Sequence, residues 1–285
     1  MIWVELAGWS DVGRQREANE DRVFYQVQQS SDANPVALCI VADGVGGHLG
    51  GKFASHWAVE TLRQELADLF FPTDPRQTVS MSEAEMNAFR QGFEGAERPS
   101  DVMVMHRLRE AIENANQAVY GYATHRPQEA KGAGSTVTMV LLMGMRAYVA
   151  NVGDSRTYLL RKGRLSPLTQ DHSVVAELVA AGQITSQEAF DHPHANLITR
   201  CLGFLEGVEA DIKVHTLESG DCLLLCSDGL WELLRDERLM ARIIESAPDL
   251  KVAAHRLVEA ANHAGGRDNI AAALLRATER EDIPT

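Results

Sequence analysis

Apolar, strand-like runs in this chain come in clusters, and its helical stretches come in blocks. Runs at Val4–Trp9, Val23–Gln28 and Val36–Ala42 open the sequence. Three more follow in close order at Ser135–Met143, Arg146–Val152 and Thr157–Arg161, with Arg161-Lys-Gly-Arg164 as a hairpin turn. Later runs lie at Ile212–Thr216, Cys222–Cys226 and Ile270–Arg276. Strict strand–helix alternation, the mark of a parallel sheet, is absent. The pattern predicts an α+β fold in which helices cover a largely antiparallel sheet system.

Helical periodicity marks the stretches between. One helix is predicted over about 50–70, with Phe53, Trp57, Leu62 and Leu66 on one face. Others are predicted near Ser82–Phe93, Val104–Thr124, Val174–Ala181, Leu230–Ser246 and Lys251–Ala264. Ser82 with Glu85, and Thr185 with Glu188, are spaced as capping boxes. Gly182 stands where a helix stop is expected. The whole chain, 1–285, reads as one domain with two surface insertions, 71–103 and 171–207.

Composition excludes several classes. The net charge is −13, the wrong sign for a protein that neutralises nucleic-acid phosphates. The longest apolar run, Val36–Ala42, is far short of the ~20 residues that cross a bilayer. Residues 1–5 lack the basic region and apolar core of a secretion signal. A cytoplasmic protein without nucleic-acid or membrane partners is expected. The four cysteines are spaced for neither zinc nor a local disulfide. Cys222 and Cys226 would lie roughly 13 Å apart along a strand, so buried thiols are the expectation.

Aspartates recur where the strand runs begin or end. Glu20-Asp21 precedes Val23–Gln28, and Asp43-Gly44 follows Val36–Ala42. Asp154 follows Arg146–Val152, Asp228-Gly229 follows Cys222–Cys226, and Asp268-Asn269 precedes the last run. Each alone has an ordinary explanation as a turn or a helix cap. Five together can bring carboxylates to one place, and gathered carboxylates repel unless neutralised. With no His or Cys beside them, the fitting neutraliser is a hard divalent cation such as Mg²⁺ or Mn²⁺. Arg14 and Arg16 are near enough in sequence to add a grip on phosphate. Spacing alone reaches a two-metal phosphoryl-transfer enzyme and no further.

The ordered motifs go further. Ser10-Asp-Val-Gly-Arg-Gln-Arg-Glu-Ala-Asn-Glu-Asp21 resembles the opening motif of the metal-dependent protein phosphatases (PPM family, type 2C) in their bacterial form. Val41-Ala-Asp-Gly-Val-Gly-Gly-His48 resembles their second motif. Gly134-Ser-Thr136, Ala150-Asn-Val-Gly-Asp-Ser-Arg156, Thr169-Gln-Asp-His172, Ile198-Thr-Arg-Cys-Leu-Gly203, Cys226-Ser-Asp-Gly-Leu230 and Gly266-Arg-Asp-Asn269 follow in the family's order. Any one motif is weak, but the ordered set is specific and covers nearly everything outside 71–103.

The resemblance implies two packed antiparallel sheets flanked by helices on both sides, with a flap at 171–207. It implies hydrolysis of phosphoserine and phosphothreonine in proteins by a metal-activated hydroxide, without a phosphoenzyme. Two Mn²⁺ or Mg²⁺ ions are implied, with a weaker third. Asp43 matches the bridging ligand, the Gly44 carbonyl a ligand of the second ion, and Asp228 and Asp268 ligands of the first. Asp21, with Glu20, matches the position that orders water, and Arg16 the phosphate-binding arginine. Asp154 and Asp228 match ligands of the third ion. Glu232 stands where the family often has Asp, and Thr136 matches a hydroxyl near that site. Val45 replaces the histidine of animal members, and His48 is a weaker candidate acid. His192 and His194 read as surface loop residues. Phosphoprotein substrates, an opposing Ser/Thr kinase and a monomeric enzyme are the implied partners and state.

Two rivals remain at this level. A catalytically inactive phosphatase-like sensor or scaffold would be expected to have lost metal aspartates, which are present here. Gly46-Gly-His-Leu-Gly-Gly51-Lys52 fits the P-loop spacing of nucleotide hydrolases, but Phe53 stands where such a loop needs Ser or Thr.

Overall fold

A seven-residue apolar run is buried on both faces only when a further layer lies on each side. The computed structural model, which describes residues 1–29, 34–46, 49–70, 100–126, 130 and 132–280, supplies both layers. One five-stranded sheet has the order β1 (Ile2–Asp11), β12 (Ile270–Glu279), β11 (Cys222–Cys226), β8 (Arg156–Arg161) and β9 (Arg164–Pro167). The other runs β10 (Asp211–Thr216), β7 (Arg146–Val152), β6 (Val137–Met143), β3 (Val36–Ala42) and β2 (Arg22–Gln28). A two-stranded ladder pairs β4 (Gly44–Val45) with β5 (Gly134–Ser135). Every pairing is antiparallel.

Strand alternation divides the core into three layers. Ala37, Cys39 and Val41 of β3 meet Leu223, Leu225, Ala271, Ala273 and Leu275 between the sheets. Leu38, Ile40 and Ala42 point the other way, against α1 (Leu49–Glu65) and α2 (Asp101–His125). Leu224, Cys226, Ala272 and Leu274 face α6 (Glu237–Glu245) and α7 (Leu250–His263) on the opposite side. Leu38, Ile40, Leu141 and Leu142 are at most 1% exposed; each such side chain contributes about 1.5–3 kcal/mol by burial. The result is the expected α+β sandwich, helices outside two antiparallel sheets.

Segment 171–207 folds back on this frame. It carries α3 (Val174–Ala180) and α4 (Ser186–Ala189). The Thr185–Glu188 capping box is formed, and α3 stops just before Gly182. Bridges Ser173↔Ile198 and Ser135↔Leu202 close the segment onto itself and onto β5. The predicted hairpin turn after β8 is present, with Arg161 opposite Arg164.

Three expectations need correction or limits. The buried face of α1 is Ala54, Ala58, Leu62 and Leu66, whereas Phe53 and Trp57 are about 40% exposed. Small alanines let the helix lie close to the sheet, so size rather than hydrophobicity selects that face. The predicted helix 230–246 is two helices, α5 (Asp228–Trp231) and α6, because Asp236 caps a new start with its side chain. The predicted helix Ser82–Phe93, its Ser82–Glu85 capping box, and nearly all of insertion 71–103 lie outside the described residues. The four cysteines are buried and free. Among the described residues, no helix is long and apolar enough to cross a membrane.

Candidate active site

The sandwich gathers strand ends from both sheets. Asp21 immediately precedes β2, Asp43 lies between β3 and β4, and Asp154 lies in the turn from β7 to β8. Asp228 starts α5 directly after β11, Glu232 follows one turn later, and Asp268 stands two residues before β12. Their charges reach one another. Burial first, then Asp21, Asp228 and Asp154, push the Asp43 carboxyl well above its usual range. Burial and the charges of Asp228, Asp171 and Glu232 do the same to Asp154. Asp228 is raised by burial and by Asp268. Asp21 is raised to about 8, chiefly by burial, and Glu232 to about 7, by burial and then Asp228 and Asp268.

Polar neighbours fix the chain that carries these groups. Asp43 is clamped through its backbone. Its N–H donates to Thr136 Oγ1 at 3.1 Å, and its carbonyl accepts from Thr136 N–H at 2.8 Å and Ser135 Oγ at 3.1 Å. Thr136 in turn meets Ser155 Oγ at 2.7 Å, which ties the Asp43 loop to the Asp154 turn. Ser227 Oγ donates to Asp21 Oδ2 at 2.6 Å and accepts the Ala271 N–H at 2.9 Å. Asn269 Oδ1 accepts the Glu20 N–H, and its amide donates to the carbonyls of Val12 and Ala18. That amide holds the loop bearing Arg16 against the loop bearing Asp268. Arg16 Nη2 donates to Asp268 Oδ2 at 2.6 Å.

The glycines after two of the aspartates are needed for close approach. A Cβ on Gly44 would lie 2.1 Å from the Gly51 carbonyl oxygen of α1. One on Gly229 would lie 1.9 Å from the Asn269 carbonyl oxygen. Any side chain at either place would pry the acidic loops apart. A Cβ on Gly51 would in turn sit 2.7 Å from Glu20 Oε2, so the Glu20 carboxylate faces the start of α1 beside the Gly44 carbonyl.

The donor set fits a hard divalent cation. Asp21 Oδ1 and Asp228 Oδ1 are buried without a hydrogen-bond partner. An ionised carboxylate is an acceptor only, and burying it unpaired is costly. Burial together with the neighbouring carboxylates raises Asp21, Asp43 and Asp228 alike, so these neighbours cannot all be ionised unless a cation or proton lies among them. Among the described residues, no three His, Cys, Asp or Glu side chains are already closed into a ligand shell.

The structure thus brings Asp21, Asp43, Asp154, Asp228, Asp268 and Glu232 together, with Arg16 at the edge and Glu20 beside Gly44. In the loop after α4 His194 lies exposed and His192 is half-buried. His48 lies outside the described residues. The sequence reading assigned no role to Ser227 and Asn269, which orient Asp21, Glu20 and the Arg16 loop. Neither carries a local signal, because the groups they hold lie far away in sequence.

A layered αββα frame with gathered carboxylates and an arginine at one end suits metal-assisted hydrolysis of phosphate esters. Comparison with known proteins makes the class specific. The family model described as "Protein phosphatase 2C" matches residues 13–270. The serine/threonine phosphatase stp of Listeria monocytogenes serovar 1/2a is 35% identical over 268 residues, 93% of each chain. A solved serine/threonine phosphatase of S. agalactiae superposes with TM-score 0.77 at 32% identity, covering 97% of this chain and all of that one. The catalytic domain of the serine/threonine protein phosphatase PstP, solved in complex with two manganese ions, matches with TM-score 0.75 at 30% identity, covering 98% and 100%. This chain belongs to the protein phosphatase 2C family and is a protein serine/threonine phosphatase. The P-loop reading fails on the fold, since β3 and β4, the strands that lead into α1, are paired antiparallel.

Proposed function

We propose that the protein hydrolyses phosphoserine and phosphothreonine in proteins at the Asp21–Asp43–Asp228–Asp268 cluster, with two Mn²⁺ or Mg²⁺ ions as cofactors. The observation that carries this reading is the pair of partnerless, buried carboxylate oxygens on Asp21 and Asp228. Asp43 and the Gly44 carbonyl would hold one ion, and Asp43, Asp228 and Asp268 the other. Asp154, Asp228 and Glu232 would form a weaker outer site. When bound, the ions neutralise the carboxylates, activate water as the nucleophile and polarise the phosphoryl oxygens.

The chain's own groups do the rest. Arg16, whose side chain is 55% exposed, keeps donors free for two phosphoryl oxygens while Asp268 holds one end of its fork. Asp21, anchored by Ser227, and Glu20 orient the attacking water. Thr136, Ser135 and Asn269 keep the acidic loops from spreading, so the charge on the phosphoryl oxygens meets a preorganised site. His48 is a candidate proton donor to the leaving oxygen.

The substrates would be phosphoproteins, and an opposing Ser/Thr kinase is the fitting partner. The acidic surface, free thiols and lack of a described membrane-crossing helix suit a cytoplasmic monomer. A metal-titrated assay of phosphate release from phosphoserine and phosphothreonine peptides tests the reading. Release that needs Mn²⁺ or Mg²⁺ and stops with a chelator is expected. Full turnover by EDTA-treated, metal-free protein would overturn it.

A further inference from the structure

Outside the carboxylate cluster, one stack of side chains joins segment 171–207 to the Asp154 turn. Arg156 grips Asp171 with two hydrogen bonds, at 2.8 and 2.7 Å, and donates to Tyr158 Oη at 3.1 Å. Its guanidinium lies over the Trp231 ring, 3.4 Å from the centroid. Phe190, just after α4, meets Trp231 with centroids 6.4 Å apart and planes at 54°. Arg235 covers Phe190, 4.3 Å from its centroid. Two cations therefore bracket two rings.

The stack has a polar end aimed at the acidic cluster. Trp231 is 8% exposed and sits three residues after Asp228. Its indole N–H donates to the Asp154 carbonyl at 3.0 Å, in buried surroundings. A buried indole N–H that loses its acceptor stays unpaired, which is unfavourable, so ring and turn tend to move together. Asp171 and Phe190 come from segment 171–207; Arg156, Trp231 and Arg235 come from the frame. Cation–ring contacts are individually modest, which suits a contact that opens and closes.

We propose that Trp231 is a positioning residue for the acidic cluster and that Phe190 latches it. With segment 171–207 seated on the Arg156–Trp231–Phe190–Arg235 stack, the indole N–H fixes the Asp154 turn; with the segment lifted, the turn relaxes. The latch itself rests on contacts alone, and only the consequence for Asp154 rests on the phosphatase reading.

Two variants separate the parts. Trp231→Phe keeps the ring and removes the N–H. Phe190→Ala keeps the N–H and removes the latch. Trp231→Phe should raise the Mn²⁺ concentration for half-maximal phosphate release by about tenfold, the usual scale for groups that orient metal ligands, with phosphopeptide KM within about twofold. Phe190→Ala should move that midpoint in the same direction. In metal-free protein it should also shift the Trp231 emission, isolated by subtracting the matching Trp231→Phe spectrum, to longer wavelength.

An unchanged Mn²⁺ midpoint in folded Trp231→Phe, or unchanged Trp231 emission in Phe190→Ala, would overturn the proposal. If Trp231→Phe shows no cooperative melt, the unsubtracted emission and the Mn²⁺ midpoint of Phe190→Ala decide it. If wild-type protein releases no phosphate at any Mn²⁺ concentration, the phosphatase reading fails, and the metal-free emission still decides the latch.

Discussion

Arg16 and Asp268, 252 residues apart in sequence, meet through a single donor of the guanidinium, 2.6 Å from Asp268 Oδ2. Both side chains are partly exposed, at 55% and 35%, so the pair adds at most about 1 kcal/mol to stability. Its value lies in aim. Arg16→Ala should leave the melting temperature nearly unchanged and lower kcat/KM about 10–100-fold, the scale of a lost charge-assisted grip. Arg16→Lys should restore only part, because an ammonium cannot hold Asp268 and phosphate in one plane. Steady-state kinetics on a phosphopeptide would check this, and wild-type kcat/KM in Arg16→Ala would remove Arg16 from the site.

Asp43 is buried beside the carboxylates of Asp21, Asp228 and Asp154. Asp43→Asn should therefore separate activity from stability. Turnover should fall by at least about 10³-fold, since several kcal/mol of charge stabilisation are lost with the ions. The metal-free protein should melt at the same or a higher temperature, because one repelling, buried charge is gone. Near-normal turnover, or a collapsed melt without metal, would mean that Asp43 holds the fold and not the chemistry.

The fold was legible because both-face burial writes itself as continuous apolar runs. β3 and β7 begin and end where the sequence reading put them, and β11 does too. The acidic positions were legible for a related reason: Asp21, Asp43, Asp154, Asp228 and Asp268 all punctuate strand ends. What stayed hidden depends on contact across the chain. Asp43-Gly44 reads locally as a turn, but Gly44 is required by the Gly51 backbone. Ser227 and Asn269 have no local signature, because their partners lie 206 and 249 residues away. The α1 face was misread because aromatic rings outweigh alanines in a hydrophobic tally, while close packing on a sheet selects the alanines.

Ser227→Ala tests one of those hidden contacts. The hydroxyl donates to a buried carboxylate and also receives the Ala271 N–H. Removing it should cost about 1.5–3 kcal/mol of stability, measured by urea titration of metal-free protein above neutral pH. Because that hydrogen bond holds the Asp21 carboxyl down against burial, the variant should also raise the pH at which Asp21 ionises. A loss below about 0.5 kcal/mol would mean that another group or water replaces the hydroxyl.

Metal and pH should act on stability in opposition. Burial raises Asp21 to about 8 and Glu232 to about 7, whereas both titrate near 4 in the unfolded chain. Between about pH 4 and about pH 8 the folded state keeps protons that the unfolded state has released. Stability of the metal-free protein should therefore fall as pH rises through this window and level off above it. Asp21→Asn should remove part of that slope. Mn²⁺ or Mg²⁺ competes with the protons for the same oxygens, so its stabilising effect should grow with pH. Thermal melts at about pH 5.5 and about pH 8.5, with EDTA and with added metal, would read both slopes. A metal-free melting temperature that climbs across this window would show that the carboxylates are already neutralised by groups of the protein itself.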